Sequence, residues 1–331
     1  MSEANDVRLI SDRRVEARSF AIRIAAFYGA FFLILGLYLP YVPVWLDWRG
    51  MTPVEIGILS AAPLFVRVVA TPVITFWADA RGDHRETIVI AAWVGVVSVM
   101  ALSLAEGFWP ILLLIVLFQT TNQSILPLTE ATAISGARAL GIEYGRMRLW
   151  GSISFIVANL VGGVVLAQLG AGAILVLVVG AVLIMAITAH TLPVTRRTNR
   201  IEDGNGTARP RISFGDVRSL ISRRWFLVLM GASGCVQGSH AVYYAFSAIH
   251  WRAQGISDNW IGTLWAIGVV AEVGLFAIGG TLMRRIGATG LVVAGAVAAV
   301  IRWLVMAFDP PFLVLLPLQC LHALTFGATF L

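Results

Sequence analysis

Residues 143–170 read EYGRMRLWGSISFIVANLVGGVVLAQLG, a polar start with two arginines followed by a predominantly apolar run. About 20 residues of this kind form a helix long enough to cross the hydrocarbon core of a bilayer. Similar runs recur along the whole chain of 331 residues, of which 58% are hydrophobic and only 13% are charged. Soluble domains carry about 25% charged residues. The sequence therefore predicts an all-α polytopic membrane protein.

The apolar runs are separated by short breaks that contain glycine, proline or charged residues, such as Arg49-Gly50 and Asp309-Pro310. Residues of these types punctuate helices and mark turns. Ten membrane-spanning segments are predicted near 24–46, 54–79, 87–105, 108–137, 141–169, 171–192, 223–250, 259–283, 288–308 and 311–331.

Basic residues are distributed unevenly between the two sides of these spans. The N-terminal tail, the links after spans 2, 4, 6 and 8 and the span ends that adjoin these links carry 20 of the 24 basic residues, while the opposite side carries only Arg49 and Arg252. Positively charged loops stay cytoplasmic, so both termini are predicted to be cytoplasmic, in a cell inner membrane. The net charge of +6 is thus a topology signal. Nucleic acid is excluded as a partner, and the bilayer is the expected surrounding.

A long polar link, TRRTNRIEDGNGTARPRISFGDVRS at 195–219, divides the spans into six and four. Its composition is typical of a solvated, flexible connector. The predicted regions are a cytoplasmic N-terminal tail at 1–23, a six-helix bundle at 24–192, a cytoplasmic basic linker at 193–222 and an incomplete four-helix C-terminal bundle at 223–331.

Two turns six spans apart resemble each other. The first, TFWADARGDHR at 75–85, contains Asp79 and Gly82, and the second, GTLMRRIG at 280–287, contains Arg285. A charge held near a helix end interacts with the helix dipole and can form and break a latch. These residues are predicted to form gating turns, with an ordinary charged turn as the alternative for each copy alone.

Ionisable residues inside the spans need partners, because each costs about 2.5–3.5 kcal/mol at the centre of a membrane helix. Glu130 and Arg148 are placed symmetrically about the link near residue 139. Nine helical residues correspond to about 13 Å, so the two side chains are expected to meet at equal depth. Arg146 is rotated by about 200° from Arg148 and is expected to be a cytoplasmic anchor.

Spans 4 and 7 also carry polar side chains, which are predicted to line a substrate cavity. Structural hydrogen bonding between helices is the alternative, at about 0.6 kcal/mol per bond. The predicted substrate-binding residues are Glu130, Arg148, Asn122, Gln237, His240, Tyr243 and Tyr244.

The last three spans offer an acid, a permanent cation and an imidazole at comparable depth, in Glu272, Arg302 and His322. Such a group can bind and release a proton, although a static buried ion pair would use the same residues. Cys235 and Cys320 lie in apolar segments, and their spacing predicts neither a disulfide nor a metal site.

Several strings together resemble the major facilitator superfamily, in its branch of phenylpropionic-acid permease-like proton symporters, which are relatives of the lactose permease. They are PLTEA (127–131), YGRMRLWGS (144–152), QGSHAVYYAFSAIHW (237–251), LWAIGVVAEV (264–273) and LQCLHALTFGA (318–328). The resemblance implies a two-bundle fold of twelve helices, of which the two C-terminal ones are missing here. It also implies alternating access by a monomer, no enzymatic activity or catalytic residue, and no cofactor beyond a proton gradient.

The resemblance also assigns roles to residues. It implies that Glu130 and Arg148 hold substrate, and that Glu272, Arg302 and His322 form the coupling network. There are two departures from the family pattern. Thr325 stands where the permease has a proton-carrying glutamate, and Ala80 stands in place of an arginine of the turn motif.

The charges inside the spans suggest a substrate class. Arg67, Arg148 and Arg302 exceed Glu130 and Glu272 by one positive charge, which a monoanion would balance. Proton-coupled uptake of an aromatic or hydrophobic carboxylate resembling 3-phenylpropionate is therefore expected. A nucleoside or sugar:proton symporter is the alternative, favoured if Glu130 neutralises Arg148. Aromatic faces for the substrate are available on Trp150, Phe155, Tyr243, Tyr244 and Trp265.

An intramembrane serine protease is a distant alternative. Gly231-Ala232-Ser233-Gly234 matches the Gly-x-Ser-Gly pattern of rhomboid-type proteases over four residues only. Ser233 would be the nucleophile, but His240 stands about 10 Å further along the helix axis.

Overall fold

The computed structural model describes residues 2–194, 218–219 and 221–329, and no strand occurs in this part of the chain. The predicted linker at 193–222 lies almost wholly outside the described residues. The first six helices are α1 Ser2–Trp48, α2 Pro53–Arg81, α3 His84–Leu104, α4 Phe108–Leu140, α5 Tyr144–Leu169 and α6 Gly172–Ala189. They are followed by α7 Arg224–Gly238, α8 His240–Ala253, α9 Asp258–Met306, α10 Phe312–Cys320, α11 His322–Thr325 and a 3-10 turn at Gly327–Thr329.

Seven of the described helices are long and apolar enough to cross a membrane, namely α1 from Arg13, α2 to α6, and α9. The fold class predicted from the sequence is confirmed. Helix α9 bends at Gly287, where φ is 68°, and the bend separates the predicted spans 259–283 and 288–308. The predicted span 223–250 is divided into α7 and α8 at Ser239. Part of the predicted tail at 1–23 is helical, because α1 begins at Ser2.

Helix ends are fixed by local side-chain and backbone contacts. Thr52 caps α2 by accepting a hydrogen bond from the Glu55 amide, while the Glu55 carboxylate accepts one from the Thr52 amide at 2.8 Å. Gly82 ends α2 with φ 73°, a left-handed conformation that glycine adopts without strain. Asp83 then caps α3 by accepting from the Glu86 amide. A tight turn therefore follows α2, as the sequence predicts.

The backbones of helices α1 and α5 lie unusually close together at Gly36, which has no side chain. A methyl group on Gly36 would lie 2.7 Å from both the Phe155 carbonyl oxygen and Ala158 Cβ. One turn further along, the Tyr41 hydroxyl donates to the Asn159 carbonyl. Small residues thus let two backbones touch, which is a common way to associate helices in lipid.

The chain forms two compact units. The first comprises Met1–Arg196 and Ala245–Ala266, and the second comprises Arg197–Tyr244 and Ile267–Leu331. In the first unit, a methyl group on Gly163 would lie 2.8 Å from the Asp258 carbonyl oxygen. Asp258 also pairs with Arg252, with 2.8 Å between Oδ1 and Nε. The domain boundaries predicted from the sequence stay a prediction.

Large apolar side chains are exposed along the outer faces of the helices. Leu113 is 69% exposed and Val176 is 71% exposed, and many other valines, leucines and phenylalanines behave alike. Contiguous apolar surface of this extent is unusual on soluble proteins. It is expected where lipid chains rather than water surround the helices.

The contact between α1 and α5 can be tested with single methyl groups. We expect Gly36→Ala to destabilise the protein by about 1–3 kcal/mol, because the added carbon overlaps the α5 backbone. Gly180→Ala is the matched control, since Gly180 lies inside α6 with open space around it. Thermal unfolding of the purified variants in one detergent measures the difference. Equal melting temperatures for the two variants would contradict this account.

Candidate functional site

Glu130 and Arg148 come together in the first unit, where α4 and α5 flank a short link. The link begins at Gly141, which ends α4 with φ 65°. Arg148 Nε lies 3.5 Å from Glu130 Oε1, and the two side chains are 31% and 27% exposed. The second oxygen of Glu130 accepts a hydrogen bond from the Tyr144 hydroxyl. The pair is therefore half-buried, and Tyr144 and Arg148 contact different oxygens of the carboxylate.

Aromatic rings surround the Arg148 guanidinium. Its central carbon lies 3.9 Å from the ring centroid of Phe32 and 5.5 Å from that of Tyr28. Both are within the distance at which a cation is attracted to a ring face. A methyl group on Gly151 would lie 3.0 Å from Arg148 Nη1 and 2.6 Å from Phe32. The missing side chain at Gly151 therefore leaves room for the guanidinium over the ring.

Asn122 lies on α4 two helical turns before Glu130 and is 1% exposed. Neither atom of its amide group has a hydrogen-bond partner among the described residues. A buried amide without partners is costly, so it marks a place where a water molecule or a ligand belongs. Gln119 Oε1 and Thr120 Oγ1 on the same helix are also buried without a partner in the described part.

Arg302 is the centre of a second cluster, which lies entirely in the second unit. Its side chain is completely buried. Nη1 donates to His322 Nδ1 and to Thr325 Oγ1, both at 3.2 Å, and Nη2 donates to Gln319 Oε1 at 2.9 Å. The Tyr243 hydroxyl donates to the same oxygen of Gln319 at 2.9 Å. The direct hydrogen-bond acceptors of this permanent cation are thus all uncharged side chains.

The hydrogen bonds assign the proton positions on two histidines. His322 Nδ1 accepts from Arg302, so the proton of the neutral ring is on Nε2. His240 Nδ1 lies 3.0 Å from the Val236 carbonyl and donates to it. Its Nε2, which lies 3.0 Å from Thr325 Oγ1, then accepts from that hydroxyl. Thr325 therefore links Arg302 to His240 in one continuous chain.

Glu272 reaches the cluster through His322. Its Oε2 lies 3.9 Å from His322 Nε2, and both side chains are mostly buried. Two glycines make the space for this contact. A methyl group on Gly268 would lie 3.2 Å from His322 Cβ, and one on Gly327 would lie 3.2 Å from Glu272 Cγ. The second unit therefore brings together the three residues that the sequence predicts as a coupling network.

The other predicted substrate-binding residues of span 7 lie beside this cluster. Gln237 Nε2 donates to the Phe326 carbonyl at 3.4 Å. The rings of His240 and Tyr244 are 5.6 Å apart, and those of Tyr243 and Tyr244 are 5.7 Å apart. These residues belong to the second unit, whereas Asn122, Glu130 and Arg148 belong to the first.

Two of the predicted gating residues, Asp79 and Arg285, are exposed residues of α2 and α9. Asp79 Oδ1 is 2.8 Å from His84 Nε2, and Gly82 forms the left-handed cap between them. Arg285 is exposed, two residues before the bend at Gly287. One expectation from the sequence is wrong. Arg67 does not belong among the buried charges, because its side chain is exposed on α2.

Several residues of the two clusters were not predicted from the sequence, namely Tyr28, Phe32, Tyr144 and Gln319. Gln319 carried a usable signal, because Gln319, His322 and Thr325 recur every three residues and so share one side of a helical segment. The aromatic residues of α1 carried none, since a membrane helix contains many aromatic residues for packing alone.

Ionisable and hydrogen-bonding groups gathered inside apolar helices are features of a membrane transporter, where they mark substrate and ion pathways. The chain belongs to the MFS_1 like family, whose model matches residues 21–331.

Individual relatives agree with the family. A probable 3-phenylpropionic acid transporter of Escherichia coli (strain K12) is 30% identical over 306 residues, which cover 90% of this chain and 77% of that protein. The maltose permease of Geobacillus stearothermophilus is 27% identical over 293 residues, covering 86% of this chain and 70% of the permease. The crystal structure of the nucleoside transporter NupG is 14% identical with a TM-score of 0.76, covering 94% of this chain and 79% of that one.

These similarities confirm the resemblance to major facilitator transporters that the sequence indicated. The chain is a multi-pass secondary transporter for a small molecule, and its relatives are transporters rather than enzymes. The protease alternative is therefore wrong. The geometry agrees, since both ring nitrogens of His240 are engaged by Val236 and Thr325 and neither activates Ser233.

The hydrogen bonds of the Arg302 cluster predict that the stability of the folded protein depends strongly on Gln319. We expect Gln319→Leu to lower the free energy of unfolding by about 1–3 kcal/mol, because Nη2 of the buried Arg302 loses its acceptor. Tyr243→Phe is the control, since it keeps the ring 4.7 Å from the central carbon of the Arg302 guanidinium and leaves Arg302 paired with Gln319. Thermal unfolding of the purified proteins compares them. If Gln319→Leu were as stable as Tyr243→Phe, the proposed importance of this acceptor would be refuted.

Proposed function

We propose that the protein takes up a small aromatic or hydrophobic carboxylate, resembling 3-phenylpropionate, together with protons by alternating access. Arg148 and Glu130 bind the substrate in the first unit, and Glu272 with His322 and Arg302 carries the proton in the second. A proton gradient is the only energy source required. The relative of Escherichia coli described as a probable 3-phenylpropionic acid transporter supports this substrate class.

The observation that carries the proposal is the loose engagement of Arg148. Its 3.5 Å separation from Glu130 exceeds the roughly 2.7–2.9 Å of a charge-assisted hydrogen bond. Among the described residues, neither Nη1 nor Nη2 has a hydrogen-bond partner. A guanidinium with both Nη groups open can hold a carboxylate in a bidentate fork. The adjacent rings of Phe32 and Tyr28 offer faces to an aryl group.

The hydrogen bonds of His322 support the proposal that Glu272 carries the proton. A second proton on the imidazole would have to enter at Nδ1, where Arg302 already donates, so it would break that bond. The Nε2–H group instead faces the Glu272 carboxylate. We propose that the proton is gained and lost on Glu272, while His322 orients the carboxylate and transmits its charge to Arg302.

A neutral nucleoside or sugar is the second candidate substrate. The Glu130–Arg148 ion pair favours it, since a neutralised arginine does not require an anion. Asn122, with an unpaired amide, suits the hydroxyl or carbonyl groups of such a molecule. The solved nucleoside transporter and the maltose permease relative fit this alternative, although the former shows the fold alone.

The proposed setting is the cell inner membrane, with both termini cytoplasmic and the protein a monomer. The uneven distribution of arginines supports the orientation. The turns that contain Asp79, Gly82 and Arg285 would then lie on the cytoplasmic side, where we propose that they act as gating turns. The contact of Asp79 with His84 is one that a change of state could break.

Removal of the guanidinium fork should weaken carboxylate binding. We expect Arg148→Lys to lower the affinity for 3-phenylpropionate by about 10- to 100-fold, because lysine keeps the charge but cannot make a bidentate contact. Isothermal titration of the purified protein with 3-phenylpropionate measures the change. Titration with 3-phenylpropanol, which lacks the carboxylate, and with uridine tests the second candidate.

Arg146→Lys is the matched control, since Arg146 is exposed one step away on the same helix. Its affinity should equal that of the unmodified protein. An Arg148→Lys variant that binds 3-phenylpropionate normally would exclude the proposed site. Tighter binding of uridine than of either phenyl compound would favour the nucleoside alternative.

Replacement of Glu272 should abolish proton exchange without abolishing substrate binding. We expect the unmodified protein to take up or release protons when 3-phenylpropionate binds. The Glu272→Gln variant should bind 3-phenylpropionate without taking up or releasing protons. A pH-sensitive dye in weakly buffered solution follows the protons, and titration follows the binding. Glu143→Gln is the control because Glu143 is exposed at the start of α5. Unaltered proton exchange in Glu272→Gln would remove Glu272 from the proposed role.

A further inference from the structure

Two adjoining cavities open on the outer surface of the first unit. The basic pocket, of about 380 Å³, is lined by Arg23, Arg85, His190 and the segment 191–194. The apolar groove, of about 480 Å³, is lined mainly by alanine, glycine and larger aliphatic side chains. Apart from Trp150, one of the aromatic residues considered for the substrate, neither is lined by a residue of the Glu130–Arg148 site or of the Arg302 cluster.

The two cavities have neighbouring lining residues on α1 and lie along the same two helices, α1 and α6. Ile22 lines the apolar groove and the next residue, Arg23, lines the basic pocket. On α6, Ile184 of the groove precedes His190 of the pocket by six residues, or about 9 Å of helix. A single molecule with a charged end and an apolar tail can therefore occupy both.

The basic pocket is held in place by its own hydrogen bonds. Arg85 Nη2 donates to the His190 carbonyl at 2.5 Å. Trp93 Nε1 donates to His190 Nε2 at 2.9 Å, which leaves the ring proton on Nδ1 as a further donor. The positive charge is thus carried by Arg23 and Arg85, with His190 as an uncharged donor beside them.

No carboxylate lines the basic pocket in the described part of the chain. The two acids nearest to Arg85 in sequence are engaged elsewhere. Asp83 accepts from the Glu86 amide, and Glu86 pairs with Arg81 at 3.6 Å. The pocket therefore has a net positive charge that an anion can neutralise.

The apolar groove has the dimensions and lining of a site for a hydrocarbon chain. Ala25, Ala26, Gly29 and Ala30 form its floor on α1, and the groove continues to Leu33. From Ile22 to Leu33 the helix rises by about 16 Å. Trp150 borders the groove and is 56% exposed, so its ring offers a large apolar face to a hydrocarbon chain.

We propose that the basic pocket and the apolar groove together bind one phospholipid with an anionic head group. The phosphate and its net charge are held by Arg23 and Arg85, and one acyl chain lies in the groove beside Trp150. Basic pockets between membrane helices on the cytoplasmic side recognise anionic lipids in this way. A zwitterionic lipid would leave the pocket charge uncompensated, and a free phosphate would not use the groove.

Native mass spectrometry of the detergent-purified protein tests this directly. Phosphatidylglycerol and phosphatidylcholine with identical acyl chains are added in equal amounts. We expect one retained phosphatidylglycerol and a clear preference over phosphatidylcholine. Arg23→Gln should lower that preference about fivefold, and the further change Arg85→Gln should lower it again by a similar factor. Ala26→Phe, which fills the exposed groove, should weaken retention of both lipids.

Arg14→Gln is the matched control, because Arg14 is an exposed arginine on the same helix outside the pocket. Equal retention of the two lipids, or an unchanged preference in Arg23→Gln, would overturn the proposal. Displacement of phosphatidylglycerol by millimolar inorganic phosphate would also overturn it, since the pocket would then be a simple anion site. Titration with 3-phenylpropionate should give the same affinity in all these variants, so this test is independent of the proposed function.

Discussion

A guanidinium removed from water has to find its partners inside the protein, and the second unit is organised around this constraint. Arg302 is completely buried, and the desolvation cost of such a charge is several kcal/mol unless hydrogen bonds and a nearby anion compensate it. Gln319, His322 and Thr325 supply the acceptors from the last described helices. These short helices lie beside the final part of α9 and so place the acceptors around the arginine.

Arg302 and Arg148 differ in how deeply they are buried, and this difference determines how many of their hydrogen-bond donors are engaged. Both Nη groups of Arg302 donate hydrogen bonds to protein acceptors. The position of Arg302 is therefore fixed by its neighbours. Arg148 is partly exposed and meets one loosely placed carboxylate, so its hydrogen-bonding capacity remains available to a ligand. The two arginines thus differ in their hydrogen bonds: the Nη groups of Arg302 are engaged by protein acceptors, whereas Arg148 contacts one carboxylate at 3.5 Å.

Much of this arrangement was predictable from the sequence. The meeting of Glu130 with Arg148 followed from their symmetric spacing about a short link, because helix rise converts equal spacing into equal depth. The break at Gly287 followed from a glycine after two arginines. These features depend on local geometry, which the order of residues determines directly.

Other features depend on neighbours that are distant in sequence, and there prediction failed. Arg67 lies midway along an apolar helix, but hydropathy does not reveal which face of α2 is covered, and the side chain is exposed. The division of span 7 at Ser239 falls at a Gly238-Ser239 pair, a weaker local signal than proline. The acceptors of Arg302 depend on which helices pack together, a property of the tertiary structure. The spacing of residues along the sequence therefore predicts how far along a helix a side chain lies, but it predicts only some of the residues that contact it.

The assignment of Ala245–Ala266 to the first unit has a consequence for the biosynthesis of the protein. The chain leaves the ribosome from its N-terminus at about 5–20 residues per second. The six N-terminal helices therefore exist for several seconds before the segment that covers Gly163 on α5 has been made. During that interval the first unit is unfinished, and the exposed glycine face of α5 is open to incorrect helix partners or to the insertion machinery. Completion of the first unit thus depends on the timing of translation through residue 266 as well as on its own sequence.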